Sequence, residues 1–273
     1  MTARVITLTS GKGGVGKTTA TANIGVALAQ RGRKVVVIDG DIGLRNLDVV
    51  MGLENRVVYN LVHVVRGAVT AERALIRDKR VPGLMLLAAD QHSDKDDVSE
   101  EDMRDACDAL RDKADYVLID SPAGIEQGYR NAIAPADEVI LITTPEISAV
   151  RDADRVIGLT EAAGKPTPKL IINRIKQQLV ARGDMMDTGD VHDILRIEVI
   201  GVVPEDEAIV AATNRGEPIA LKNGSLTGQA FHNIAARIEG EEVDFVSLDG
   251  AQEGLLARLA GVFRGGAAQG GAS

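Results

Sequence analysis

Short, almost unbroken runs of Val, Ile and Leu recur along the chain, as RVITLT, KVVVID, LMLLAA, YVLID, EVILIT, KLIIN and VIGVVP. Runs of this length without polar alternation read as strands buried on both faces, the pattern of a parallel sheet covered by helices. Between them lie stretches of helical texture at residues 18–31, 100–113, 147–163 and 226–238. The alternation predicts an α/β chain with a doubly wound, mostly parallel sheet and helices on both faces. One domain spanning residues 1–240 is expected.

After Ile238 the texture changes. Residues 241–252 are acidic and irregular and read as a linker, while residues 266–273, all Gly, Ala, Gln or Ser, read as a disordered tip. If residues 253–265 are helical, Leu255, Leu256, Leu259, Val262 and Phe263 share one face within an arc of roughly 120°, flanked by Arg258 and Arg264. On periodicity alone such a stripe packs against its own protein more often than against lipid.

Composition narrows the possibilities. The chain has 273 residues, 45% hydrophobic and 26% charged, which is enough apolar material for a sizeable core. Its formal net charge is -9 and it has no long Lys/Arg run, so no nucleic-acid partner is expected. The single cysteine, Cys107, excludes an intrachain disulfide and an all-cysteine metal site within one chain, and is expected in the core. The first residues lack the basic-then-apolar pattern of an export signal, so a cytoplasmic protein is expected. No run approaches the roughly 18 apolar residues of a membrane span, so any membrane contact is expected to be peripheral.

The segment Gly11, Lys12, Gly13, Gly14, Val15, Gly16, Lys17, Thr18 fits GxxxxGK[ST], and it falls between a predicted strand and a predicted helix, the context this phosphate-binding loop requires. A P-loop NTPase fold follows, with ATP and Mg²⁺ as ligands. Backbone N–H groups of the loop and of Thr19 would wrap the phosphates, Lys17 would reach the β/γ-phosphates, and Thr18 would place its hydroxyl on Mg²⁺. Three carboxylates sit at predicted strand ends: Asp39 and Asp41 after VVVI, and Asp120 after YVLI. They are expected to complete the Mg²⁺ shell, partly through water, with Asp120 making the water-mediated contact and Asp41 near the γ-phosphate. An Asp at a strand end is also commonly just a turn or helix cap.

A generic phosphate loop needs only one lysine, and Lys12 is a second. GKGGVGKTT resembles the deviant Walker A motif of the ParA/MinD ATPases, and DGDIGLRNLD, IDSPAGIE, TTPEISAVRDADR and IINR extend the resemblance over most of the first 240 residues. It is nearest to the septum-positioning branch of that family. The resemblance implies hydrolysis of ATP to ADP and phosphate at a slow basal rate, an ATP-bound homodimer, and Lys12 acting on the partner subunit's nucleotide, so that the catalytic set is Lys12, Lys17, Asp41 and Asp120. It further implies that Asn173, Pro204, Glu205 and Asp206 hold the base, and that residues 253–265 target the membrane surface.

By the same resemblance the partners are a MinC-like inhibitor of septum assembly and a MinE-like activator, the latter meeting the helix that carries Asp152 and Asp154. Read from sequence, those carboxylates with Arg151 and Arg155 are a solvated helix face. Alternatives keep the loop and change the cargo, as in DNA-partitioning or flagellar-number relatives. Cluster-bearing relatives need paired cysteines, and tyrosine kinases of this fold need a tyrosine-rich tail, whereas Tyr59, Tyr116 and Tyr129 lie in the body. A non-enzymatic switch is the remaining alternative, since no Glu or His stands out as a general base.

Overall fold

Most strands form where the chain carries its apolar runs, and the computed structural model, which describes residues 2–94 and 97–248, has one eight-stranded sheet. The strands are β1 (Arg4–Thr9), β2 (Val35–Asp39), β3 (Ile76–Arg77), β4 (Leu84–Leu87), β5 (Tyr116–Asp120), β6 (Glu138–Thr143), β7 (Lys169–Ile175) and β8 (Val199–Pro204). Their order is β3-β4-β2-β5-β1-β6-β7-β8, parallel throughout except that β3 runs antiparallel to β4. The helices in the first half are α1 (Lys17–Gln30), α2 (Leu47–Val50), α3 (Leu61–Val65), α4 (Ala71–Ala74), α5 (Glu100–Asp108) and α6 (Gln127–Ile133). In the second half they are α7 (Ile147–Ala162), α8 (Gln177–Val180), α9 (Thr188–Leu195), α10 (Ala208–Asn214) and α11 (Leu226–Ile238).

Successive strand residues point to opposite faces, so each strand feeds two cores. Val35 and Val37 of β2 pack with Ile24 and Leu28 of α1 and with Phe231 and Ile234 of α11, whereas Val36 and Ile38 pack with Met103 and Cys107 of α5. A third cluster joins Leu141 and Ile172 to Val150 and Val156 of α7 and to Val191 of α9. Each fully buried Val, Leu or Ile contributes about 1.5–3 kcal/mol, so the sheet is held from both sides by dry contacts. Helix α1 is buried on almost every side, which explains its lack of a polar stripe; a Cβ at Gly25 would lie 2.8 Å from Val37.

One expectation needs correction, and one strand was not foreseen. The helix expected over residues 100–113 starts at a Ser99/Asp102 capping box but ends at Asp108. Leu110, Arg111 and Lys113 make i+3 bonds instead, and Arg111 binds the Ala3 carbonyl and Asp137, which brings the chain to the start of β5. Strand β3 was not expected, because two residues carry no periodicity.

Residues 241–248, the described part of the expected linker, have no helix or strand and lie against α11. Asn233 donates to the Asp244 carbonyl at 2.8 Å, and Arg237 donates to the Val243 carbonyl at 2.6 Å while stacking 4.0 Å from the Phe245 ring centroid. Glu239 and Glu241 pair with Arg31 and Arg33. The expected tail helix, 253–265, and tip, 266–273, lie outside the described residues. Among the described residues, no helix is long and apolar enough to cross a membrane.

Candidate functional site

Parallel strands end on the same edge of a sheet, and here that edge gathers the loop after β1 and the carboxylates after β2 and β5. Residues 10–16 leave β1 and enter α1 through Gly16, whose φ of 94° places it in the left-handed region that a Cβ disfavours. No side chain caps α1, so the N–H groups of its first turn face the loop and are free to meet an anion. Gly11 is required by close approach: a Cβ there would lie 2.5 Å from the Asp152 carbonyl oxygen of α7. Ser10 Oγ donates to the Lys12 carbonyl at 2.9 Å and fixes the first bend.

Lys17 is 8% exposed and lies by Asp120, whose carboxylate its charge stabilises. The register pairs Asp39 with Asp120 across β2 and β5, and both are buried. Burial is the main cause that pushes the Asp120 carboxyl up to about 6; Lys17 and the hydroxyls of Thr18 and Thr21 pull it back, and Asp41 pushes it up again. Thr21 Oγ1 donates to Asp120 Oδ1 at 3.3 Å. Burial, then repulsion from Asp120, pushes Asp39 up to about 7, although Asp39 accepts backbone N–H bonds from Asp41 at 3.0 Å and from Asn46 and Leu47 at 3.1 Å. Those bonds make Asp39 the organiser of the loop that presents Asp41.

The donor set fits Mg²⁺. Asp39 and Asp120 are both buried and repel each other, Lys17 stabilises only the Asp120 carboxylate, and Thr18 adds a neutral oxygen, so the site is short of positive charge. Among the described residues no three His, Cys, Asp or Glu side chains form a cage of their own. Mg²⁺ suits such a site, because it takes most of its oxygens from phosphate and water.

Lys12 behaves differently from Lys17. Its side chain is 45% exposed and reaches toward the start of α7, with Nζ 3.3 Å from Ser148 Oγ and 3.8 Å from Glu146 Oε2. The residues expected around the base split. Asn173 is buried and donates from Nδ2 to the Val15 carbonyl at 2.7 Å, so it touches the phosphate loop itself. Pro204 ends β8, and Glu205 lies 3.8 Å from Arg174. Asp206 accepts from Thr227 at 2.7 Å and from the Ala208 N–H at 2.8 Å, which ties α10 to α11. Arg151, Asp152, Asp154 and Arg155 are all exposed on α7. Sequence reasoning missed Thr21; its spacing of three from Thr18 places both hydroxyls on one helix face toward Asp120.

The model of the CobQ/CobB/MinD/ParA nucleotide binding domain matches residues 6–219. The chain is 50% identical over 257 residues to the septum site-determining protein MinD of Synechocystis sp., covering 94% of this chain and 97% of that one. Among solved structures it resembles a chain of the MinC:MinD cell division protein complex of Aquifex aeolicus, with a TM-score of 0.83 and 48% identity over 89% of this chain and 98% of that one. It also resembles MinD complexed with Mg-ADP from Pyrococcus horikoshii, with a TM-score of 0.79 and 32% identity over 86% of this chain and 96% of that one.

Proposed function

The chain belongs to the CobQ/CobB/MinD/ParA nucleotide-binding family, with a P-loop NTPase fold, and from that premise we propose that it is an ATP-driven dimer switch that helps place the division septum. The observation that carries the switch is the division of labour between two lysines. Lys17 is buried beside Asp120 of its own subunit, while Lys12 projects from the same loop to an exposed position beside Glu146 and Ser148. An ammonium held outside its own site is available to a second copy's site. There it would supply charge as the phosphoryl group transfers, in the manner of an arginine finger.

Within one subunit, the loop N–H groups and the first turn of α1 bind and orient the phosphates of ATP, and Lys17 places positive charge against them. Thr18 and, partly through water, Asp120, Asp39 and Asp41 would hold Mg²⁺, which when bound supplies positive charge to the phosphate oxygens. Thr21 orients Asp120, and the three amides on Asp39 hold the Asp41 loop against the site. The products are ADP and phosphate. Because positioning and charge dominate this chemistry, a site without a Glu or His base hydrolyses slowly until a partner completes it.

Similarity to a chain of a MinC:MinD complex supports a MinC-like inhibitor as cargo. Residues 253–265 are the proposed membrane contact. One short helix binds lipid weakly and two in a dimer bind far better, which would couple nucleotide state to location on the inner surface of the cell membrane. A MinE-like activator acting on the exposed α7 face would reset the cycle. Sedimentation velocity tests the switch: ATP should convert the purified monomer to a dimer and ADP should leave it monomeric. Identical profiles in both nucleotides would sink the proposal. For the membrane arm, ATP-dependent pelleting with liposomes should be lost when the chain ends at Gly250; equal pelleting of both chains would refute it.

A further inference from the structure

Asn173 is joined to the phosphate loop by geometry that a residue serving only the base would not need. The β7–β8 ladder is interrupted between Ile172 and Ile175, and residues 173 and 174 fall in that break. Arg174 takes a φ of 59°, a left-handed conformation that non-glycine residues rarely adopt, and its N–H donates to Asn173 Oδ1 at 3.0 Å. Irregularities of this kind beside active sites re-aim a side chain. Here the side chain is turned into the loop, where Nδ2 donates to the Val15 carbonyl at 2.7 Å in a buried setting. A Cβ on Gly16 would overlap that same Nδ2, so the amide packs directly on the loop's left-handed residue. The ladder resumes one step later, with Glu205 N–H donating to the Ile175 carbonyl at 3.0 Å.

We propose that Asn173 is a positioning residue for the phosphates: by holding the Val15 carbonyl and packing on Gly16, it fixes the peptide units at the N-terminus of α1 in the orientation that binds a polyphosphate. This rests on reading residues 11–18 as the phosphate site. It goes beyond a base contact, because it makes phosphate affinity depend on Asn173 even when no base is present.

The discriminating probe is Mg²⁺-tripolyphosphate, which carries the phosphates without the nucleoside, measured by calorimetry beside Mg²⁺-ATP on the full chain. Losing a buried hydrogen bond that orders the site should weaken tripolyphosphate binding by about tenfold in Asn173→Ala, with ATP weakened at least as much. Unchanged tripolyphosphate affinity with weakened ATP would overturn the proposal and leave the nucleotide site standing. A wild-type chain that binds neither probe would overturn the site reading as well. Should the alanine variant fail to fold, Asn173→Asp keeps the size and the acceptor for Arg174 but replaces the donor. Its affinity relative to wild type should recover as falling pH protonates the carboxyl and restores a donor toward Val15. A flat ratio across pH would contradict the proposal.

Discussion

Replacing Asp120 by Asn should make the nucleotide-free protein more stable while abolishing its hydrolysis. The carboxyl is pushed from 3.8 up to about 6, first by burial, so above that pH the folded state carries a charge that the unfolded chain holds more easily. A rise of that size corresponds to about 3 kcal/mol of destabilisation at pH 8. Asn has the shape of the protonated acid and keeps an acceptor for Thr21, but it weakens the acceptor used by Thr18, which offsets about 1 kcal/mol. The net gain of about 2 kcal/mol is about 4–8 °C in Tm for a domain of this size. The sign fixes the pH dependence. The penalty is fully present above the folded pKa and is relieved as pH falls from about 6 toward 3.8, so the gain should shrink by about 1.4 kcal/mol at pH 5. Thermal unfolding of both proteins between pH 5 and 8, beside a phosphate-release assay, reads this directly. A variant less stable than wild type at pH 8, or a gain that does not change with pH, would refute the reasoning.

Other consequences follow from single contacts. Gly11→Ala should cost about 1–3 kcal/mol, because its Cβ would press on the Asp152 carbonyl at 2.5 Å, and should weaken ATP binding in equilibrium dialysis; an unchanged Tm would contradict the close packing. Arg237→Ala should release residues 243–246, seen as faster amide hydrogen exchange confined to that segment, since Arg237 holds the Val243 carbonyl and the Phe245 ring. Cys107, fully buried and with its thiol pushed up to about 12 by burial, should resist a thiol reagent in the native protein and react once denaturant is added.

The long, strongly apolar strands were legible because sheets covered on both faces demand unbroken runs, and β1, β5, β6 and β8 fall on the expected residues. The phosphate loop was legible because its glycines and lysine are local. Short elements such as α2, α4 and β3 were not, since so few residues have no period and depend on what they pack against. Asn173 shows the same limit at the site: its partner Val15 is 158 residues away, and the two meet through the strand order of the sheet, with Asn173 falling in the break of the β7–β8 ladder. The outward reach of Lys12 was suggested by its being a surplus lysine, but its neighbours Glu146 and Ser148 come from the far side of the sequence.

The most direct test of the two-subunit site mixes Lys12→Ala with Asp120→Asn in the presence of ATP and follows phosphate release. Each variant alone should be nearly inactive. In a mixed dimer, one site keeps its own Asp120 and receives Lys12 from the neighbour, so an equal mixture should recover about a quarter of the wild-type rate by two-fold symmetry. A mixture as inactive as its components, although both sediment as dimers, would contradict a lysine shared between subunits.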